Sequence, residues 1–141
     1  MKAYPIGYST AGSQEHIDSL ITKSKVLLID TRKVPYSTWS KDWNKDALER
    51  KYGERYHWAG EFLGNINYKG GPIKLANPAL GIKGLIMYLA EGYDLILLCQ
   101  CRDYSKCHRS VIVDLLLGRM PEVEIVLPDI QKKSSEQLTM F

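Results

Sequence analysis

Three cysteines and a histidine fall between positions 99 and 109, as Cys99-Gln-Cys101, a polar stretch, and then Cys107-His108 closed by Arg109. A cysteine attacks as its thiolate, a form favoured beside a cation or at a helix N-terminus. An imidazole next in sequence can take or return a proton near neutral pH. Arginine adds a permanently charged, planar fork that suits phosphate or carboxylate. The apolar run Leu95-Ile-Leu-Leu-Cys99 predicts a strand buried on both faces. Ser110-Val-Ile-Val-Asp-Leu-Leu-Leu117 predicts a helix ending at Gly118, with Pro121 just beyond. Cys107, His108 and Arg109 then open that helix, where backbone N–H groups and the positive dipole end suit an anion. The expected chemistry is catalysis by Cys99 or Cys107 with His108, on a substrate whose charge is held by Arg109.

Other readings of the same residues are weaker or open. Cys99 and Cys107 can equally be small buried residues, with His108 and Arg109 satisfying buried backbone and Asp30. The spacing departs from the Cys-x5-Arg loop of phosphatases and rhodaneses: six residues after Cys99 stands Ser105, and six after Cys101 stands Cys107. Structural zinc takes paired hooks from two separate stretches, whereas Cys107 and His108 are adjacent and cannot easily reach one ion. No metal and no cofactor is expected.

Asp30-Thr31-Arg32 offers a second cluster, Asp30 to orient or act as base and Arg32 to clamp an anion. The bland alternative is an ion pair of Asp30 with Arg32 or Arg109. Ser9, Tyr36 and Glu61 are expected to line the same site as substrate or anion contacts, with His57 nearby. Trp39, Trp43, Tyr36 and Tyr68 lie in predicted loops, where aromatic rings either stack on a base or cover the core.

The elements that must position these residues follow from hydrophobic period. Ala3–Tyr8 and Val26–Asp30 predict strands, with a helix between them capped by Ser13 and buried through Ile17, Leu20 and Ile21. Residues 37–43 predict a loop, and Asn44 caps a short helix that Gly53 ends. Tyr56–Trp58 is a weak third strand. Residues 60–78, rich in Gly, Asn and Pro, predict a long surface excursion. Ile82, Leu85, Ile86 and Leu89 have helical spacing, closed by Gly92. Val123–Leu127 is the last strand. Strands alternating with helices predict a single three-layer α/β domain, with a mostly parallel sheet of about five strands flanked by helices. Ligands of such sheets bind beyond the carboxyl ends of the strands, where Ser9, Asp30, Arg32, Cys99 and the Cys107–Arg109 turn gather.

At 141 residues with a formal charge of +3, the chain has room for one core, and its mild basicity permits a nucleic-acid partner without arguing for one. No apolar run approaches the ~20 residues of a membrane span and no signal-peptide pattern opens the chain, so no membrane partner is expected. Three cysteines crowded into a few positions are no disulfide framework, which points to the cytoplasm. Oligomeric state is not readable.

These motifs resemble the domain-of-unknown-function 488 (DUF488) family, small cytoplasmic α/β proteins of bacteria, archaea and their viruses. Ile6-Gly-Tyr-Ser9 is similar to the family's opening Ile-Gly-Tyr-Ser/Thr, and Asp30-Thr-Arg-Lys-Val-Pro-Tyr-Ser37 to its Asp-Val-Arg-x-Val-Pro-x-Ser. Asn44-Lys-Asp-Ala-Leu48 and Gly60-Glu-Phe-Leu-Gly64 resemble its Asn-Lys-x-x-Leu and Gly-Glu-x-Leu-Gly. Leu98-Cys99 with Cys107-His-Arg109 matches its Leu-Cys, loop, Cys-His-Arg. Cys101 stands outside the pattern. The resemblance spans roughly residues 5–127 and implies the fold, but little about activity.

Residues 1–128 are thus expected as the α/β domain and 129–141 as a polar tail, which ends on Gln137-Leu138-Thr139-Met140-Phe141. An apolar tip on a polar linker should find a pocket. It resembles the Gln-Leu-x-Leu-Phe peptides by which bacterial polymerases and repair proteins hold the sliding clamp. That resemblance implies Gln137 in a polar subsite, Leu138 beside it, and Met140 with Phe141 in an apolar pocket. The combined expectation is an anion-binding α/β protein of nucleic-acid or nucleotide metabolism, in DNA repair or modification, tethered to the clamp. A non-catalytic nucleotide or nucleic-acid binding module, and a thiol/histidine enzyme of small molecules unrelated to DNA, stay open beside it.

Overall fold

Val26-Leu-Leu-Ile29 and Leu95-Ile-Leu-Leu98 lack polar alternation, so both faces of each strand must be covered. The computed structural model, which describes residues 1–23, 25–38, 40–100 and 107–128, shows how. The strands β1 (Lys2–Gly7), β2 (Val26–Asp30), β3 (Tyr56–Trp58), β4 (Asp94–Cys99) and β5 (Glu124–Ile125) form one five-stranded sheet in the order β3-β2-β4-β1-β5. Every pairing is parallel. The helices are α1 (Ser13–Ile21), α2 (Lys45–Tyr52), the single turn α3 (Gly60–Leu63), α4 (Pro78–Ala90) and α5 (His108–Arg119). The chain is an α/β domain, as its alternating pattern predicts.

Side chains alternate across a strand, and the two apolar cores divide accordingly. Leu27, Ile29, Leu95 and Leu97 pack with Ile82, Leu85 and Leu89 of α4 and Ile112, Val113 and Leu116 of α5. Val26, Leu28, Ile96 and Leu98 pack on the other side with Ile17 and Leu20 of α1 and Leu48 of α2. The sheet is therefore the middle of three layers. That division also decides which polar residues at the carboxyl edge can meet.

Several boundaries differ from the sequence expectation. Gly12, at φ 79°, caps α1 rather than Ser13; Ser13 is the first helical residue and its hydroxyl donates to Tyr8 O at 2.8 Å. Glycine reaches that left-handed conformation without the Cβ clash that Ser13 would carry. Asn44 does precede α2, but its side chain accepts from Ser37 N at 2.7 Å and makes no cap bond to its own helix. Within 37–43 a 3₁₀ turn forms at Lys41–Trp43. The stretch 60–78 is not a simple surface excursion. It contains α3, buries Gly60, Leu63, Gly64 and Leu75, and closes on itself through an antiparallel bridge of Asn65 with Leu75. Its apolar residues are too sparse for a periodic signal, yet four of its positions are interior. Asn77 then caps α4 by accepting from Leu80 N at 3.3 Å, with Pro78 in the first turn, a start the apolar stripe alone did not mark. Gly118 lies inside α5, and β5 shrinks to two residues. No helix among the described residues is long and apolar enough to cross a membrane.

Candidate functional site

Consecutive residues at the end of β2 point to opposite sides of the sheet and build two separate polar groups. Asp30 shares the α1/α2 side with Leu28 and Tyr56. It is fully buried, and its carboxylate accepts from Arg32 Nε at 2.8 Å, Arg32 Nη2 at 2.7 Å and Arg32 N at 3.2 Å. The Tyr56 hydroxyl donates to the same carboxylate. Tyr8 lays its ring 5.5 Å from the Arg32 guanidinium and stacks on Trp43 at 5.2 Å. Of the two arginines available to Asp30, this structure pairs it with Arg32.

Ion pairs so deep survive when every lone pair and proton finds a partner. Burial works against the Arg32 charge, but the hydrogen bond and charge of Asp30 outweigh it and hold the guanidinium protonated beyond its ordinary range. Burial, then the negative charge of Asp30, pushes the Tyr56 phenol far above its usual value. This half of the edge is a locked network that ties β2 to β3 and to the segment before α2.

Thr31, the next residue, faces α5. Its backbone N–H and its hydroxyl both donate to Leu98 O, at 2.9 and 2.8 Å. The His108 ring, at the start of α5, brings Nε2 to 2.8 Å from Thr31 O and 3.1 Å from Thr31 Oγ1. A carbonyl oxygen only accepts, so Nε2 carries a proton and donates to Thr31 O. Nδ1 lies 3.6 Å from Cys107 Sγ, and Cys107 Sγ lies 2.8 Å from Cys99 Sγ. Both cysteines are buried, and His108 is the most exposed of the three at 8 %. Cys99 reaches this position because β4 runs beside β1, with Cys99 opposite Gly7 and Cys99 O accepting from Tyr8 N at 2.9 Å.

The arrangement is a run of proton-active atoms: carbonyl, imidazole, thiol, thiol. Cys107 occupies the cap position of α5 with extended backbone and makes no side-chain cap bond. Its sulfur therefore sits at the positive end of a 12-residue helix, an end that favours thiolate.

The other residues expected here spread along the edge. Arg109 is fully buried in the first turn of α5. Ser9 is exposed in the turn after β1, Glu61 is exposed on α3, and Tyr36 is exposed beyond Arg32. His57 packs its ring on Tyr88 at 5.4 Å, over a groove lined by Lys25, Arg55 and Tyr93, and does not join the cysteines. Trp43 is held against Tyr8, whereas Tyr68 is exposed. The sequence motifs do not mark Tyr56 and Tyr8 as members of these groups, and they give Thr31 no role of its own. Thr31 follows from the two-residue period of β2, and Tyr56 from its pairing with Leu28, a register no single stretch of sequence displays. Thr10, 6 % exposed at the same edge, holds a hydroxyl with no hydrogen-bond partner among the described residues.

Among the described residues no group of three or more His, Cys, Asp or Glu side chains is arranged to hold a metal ion. Cys101, Trp39 and the tail positions Gln137, Leu138, Met140 and Phe141 lie outside the described residues. Comparison with curated proteins and with solved structures returns no match. A family model does match, over residues 45–120, a span that takes in Gly60–Gly64, Cys99 and the Cys107–Arg109 turn; it is described as DUF488-N3a, active DUF488-N3 subclade. That span is more than half of the 141 residues, and the chain belongs to the DUF488 family.

Proposed function

We propose that this protein is a cysteine-dependent enzyme acting on an anionic substrate at the carboxyl edge of its sheet. Cys107 is the nucleophile, His108 its base, and Arg109 with the start of α5 the partner of a phosphate or carboxylate. The observation that carries this reading is the 3.6 Å approach of His108 Nδ1 to Cys107 Sγ, with Nε2 occupied by Thr31 O. A nucleophile beside a base that a third group orients is the recurring logic of covalent catalysis. Thr31 fills the orienting role here, and Asp30, paired with Arg32 on the other side, supports the edge. The matched subclade is described as active, which favours an enzyme. Exposed Tyr36 favours a nucleotide or nucleic acid as the substrate class.

Alkylation of Cys107 by iodoacetamide, read by peptide mass spectrometry, tests the dyad without a known substrate. In His108→Gln the rate at neutral pH is expected to fall by about tenfold or more, and inorganic phosphate should protect the wild type. A Cys107 that reacts more slowly than an ordinary free thiol, or equally fast in both proteins, overturns the reading. Burial of both sulfurs favours the non-catalytic module as the second reading. That module would hold nucleotides unchanged in His108→Ala, with no slow covalent labelling of Cys107.

We further infer from the tail sequence that residues 137–141 tether the domain to a sliding clamp. Full-length protein should bind a purified bacterial clamp at micromolar concentration, and protein ending at Glu136 should not. Equal or absent binding by both sinks the tether and leaves the dyad untouched.

A further inference from the structure

The dyad needs one sulfur, yet the structure sets two together. Cys99 Sγ lies 2.8 Å from Cys107 Sγ, inside the contact distance of two sulfurs and a short step from the ~2.05 Å of a disulfide. The two residues are eight apart in sequence, but they arrive from different elements, the carboxyl end of β4 and the cap of α5. His108 Nδ1 lies 3.6 Å from Cys107 Sγ, which sets Cys107 beside a base and Cys99 beside Cys107.

We propose that Cys99 is a resolving thiol, and that Cys99 and Cys107 form a reversible two-electron dithiol/disulfide couple driven by hydroperoxides. The inference rests on the reading of Cys107 as the reactive thiol. The Cys107 S–H proton passes to His108 Nδ1, and the thiolate attacks one oxygen of hydrogen peroxide. An S–O bond forms, the O–O bond breaks, and the departing hydroxide takes the proton back from His108 as water. Cys99 sulfur then attacks the Cys107 sulfenic sulfur. An S–S bond forms, the S–O bond breaks, and the hydroxyl leaves with the Cys99 proton as a second water. Two thiols lose two electrons and two protons, and one peroxide becomes two waters. Peroxide is scarcely larger than water, which suits a pair buried under the edge. The disulfide consumes the nucleophile, so any chemistry run by Cys107 stops until a thiol reductant restores it.

The experiment treats reduced full-length protein with stoichiometric hydrogen peroxide, blocks remaining thiols with N-ethylmaleimide, and reads intact and peptide masses. Wild type and Cys101→Ser should each lose two hydrogens and yield a linked Cys99–Cys107 peptide, reversed by dithiothreitol. Cys99→Ser should instead carry added oxygen on Cys107. Iodoacetamide labelling of Cys107 should vanish in the oxidised wild type and return on reduction. A wild type that gains oxygen on Cys107 without linkage, or links through Cys101, overturns the proposal. So does a pair that stays reduced while Cys107 alkylates rapidly, an outcome that leaves the dyad standing. If Cys107 resists both iodoacetamide and peroxide, the dyad itself has failed. The wild-type and Cys101→Ser readouts do not depend on Cys99→Ser folding.

Discussion

Asp30→Ala is expected to cost the protein about 3–5 kcal/mol of unfolding free energy, because it leaves a buried guanidinium without its counter-charge. Asp30 is fully buried and Arg32 is 6 % exposed, so solvent cannot take over the lost bonds. The substitution removes the acceptor of Arg32 Nε and Nη2 and of the Tyr56 hydroxyl at one stroke. Natural domains of this size have about 5–15 kcal/mol to lose, so a large share of the margin goes. Urea unfolding followed by circular dichroism reads the change as a lower midpoint at similar slope. Removing both charges, as Asp30→Ala with Arg32→Met, should recover part of the loss, since no charge is then stranded. Tyr56→Phe should cost less than either single charge deletion, because Asp30 keeps Arg32. An Asp30→Ala variant within about 1 kcal/mol of wild type would contradict the account, for it would mean water reaches this group.

That prediction also separates the two halves of the edge. Asp30 and Thr31 are neighbours in sequence and face opposite layers. A loss confined to the α1/α2 side should leave the alkylation rate of Cys107 unchanged in the folded fraction. Reading the sequence, Asp30, Arg32, Cys99, Cys107 and His108 gather at one edge, and they do, because apolar runs locate the strand ends without ambiguity. What the sequence conceals is the face each residue takes once the chain leaves the strand. The contact of Thr31 with His108 depends on a two-residue alternation continued past Asp30, and on α5 starting at His108. Tyr56 becomes a partner of Asp30 through a three-residue strand whose register is set by β2, not by its own pattern. The 60–78 stretch is misread for a different reason. Its glycines resemble loop punctuation, but two of them are there for close approach.

Gly60→Ala is the second large effect, and it follows from those contacts. A Cβ at this position would stand 1.8 Å from Arg32 O, 2.4 Å from Trp58 Nε1 and 2.7 Å from Arg32 C. Two of these atoms are backbone, and the third is an indole nitrogen already donating to Arg32 O at 2.8 Å. No rotamer change relieves the overlap. The first turn of α3 must withdraw from the Arg32 segment, which strains the Ala59 N bond to Asp30 O at 2.8 Å and the Trp58 bond together. Overpacking with loss of buried hydrogen bonds is expected to cost about 3 kcal/mol or more. Gly64 is held the same way, its Cβ falling 2.4 Å from Gly60 O and 2.7 Å from Lys33 Cα. The Gly-Glu-Phe-Leu-Gly spacing thus lets one helical turn lie flat on the strand of chain that carries Arg32. Gly84, inside α4, has nothing within 4 Å of a built Cβ, so Gly84→Ala should stabilise by about 0.5–1 kcal/mol through helix propensity alone. Urea midpoints of the two variants should move in opposite directions from wild type. Equal shifts would mean that backbone entropy, and not the contact with Arg32, is what Gly60 contributes.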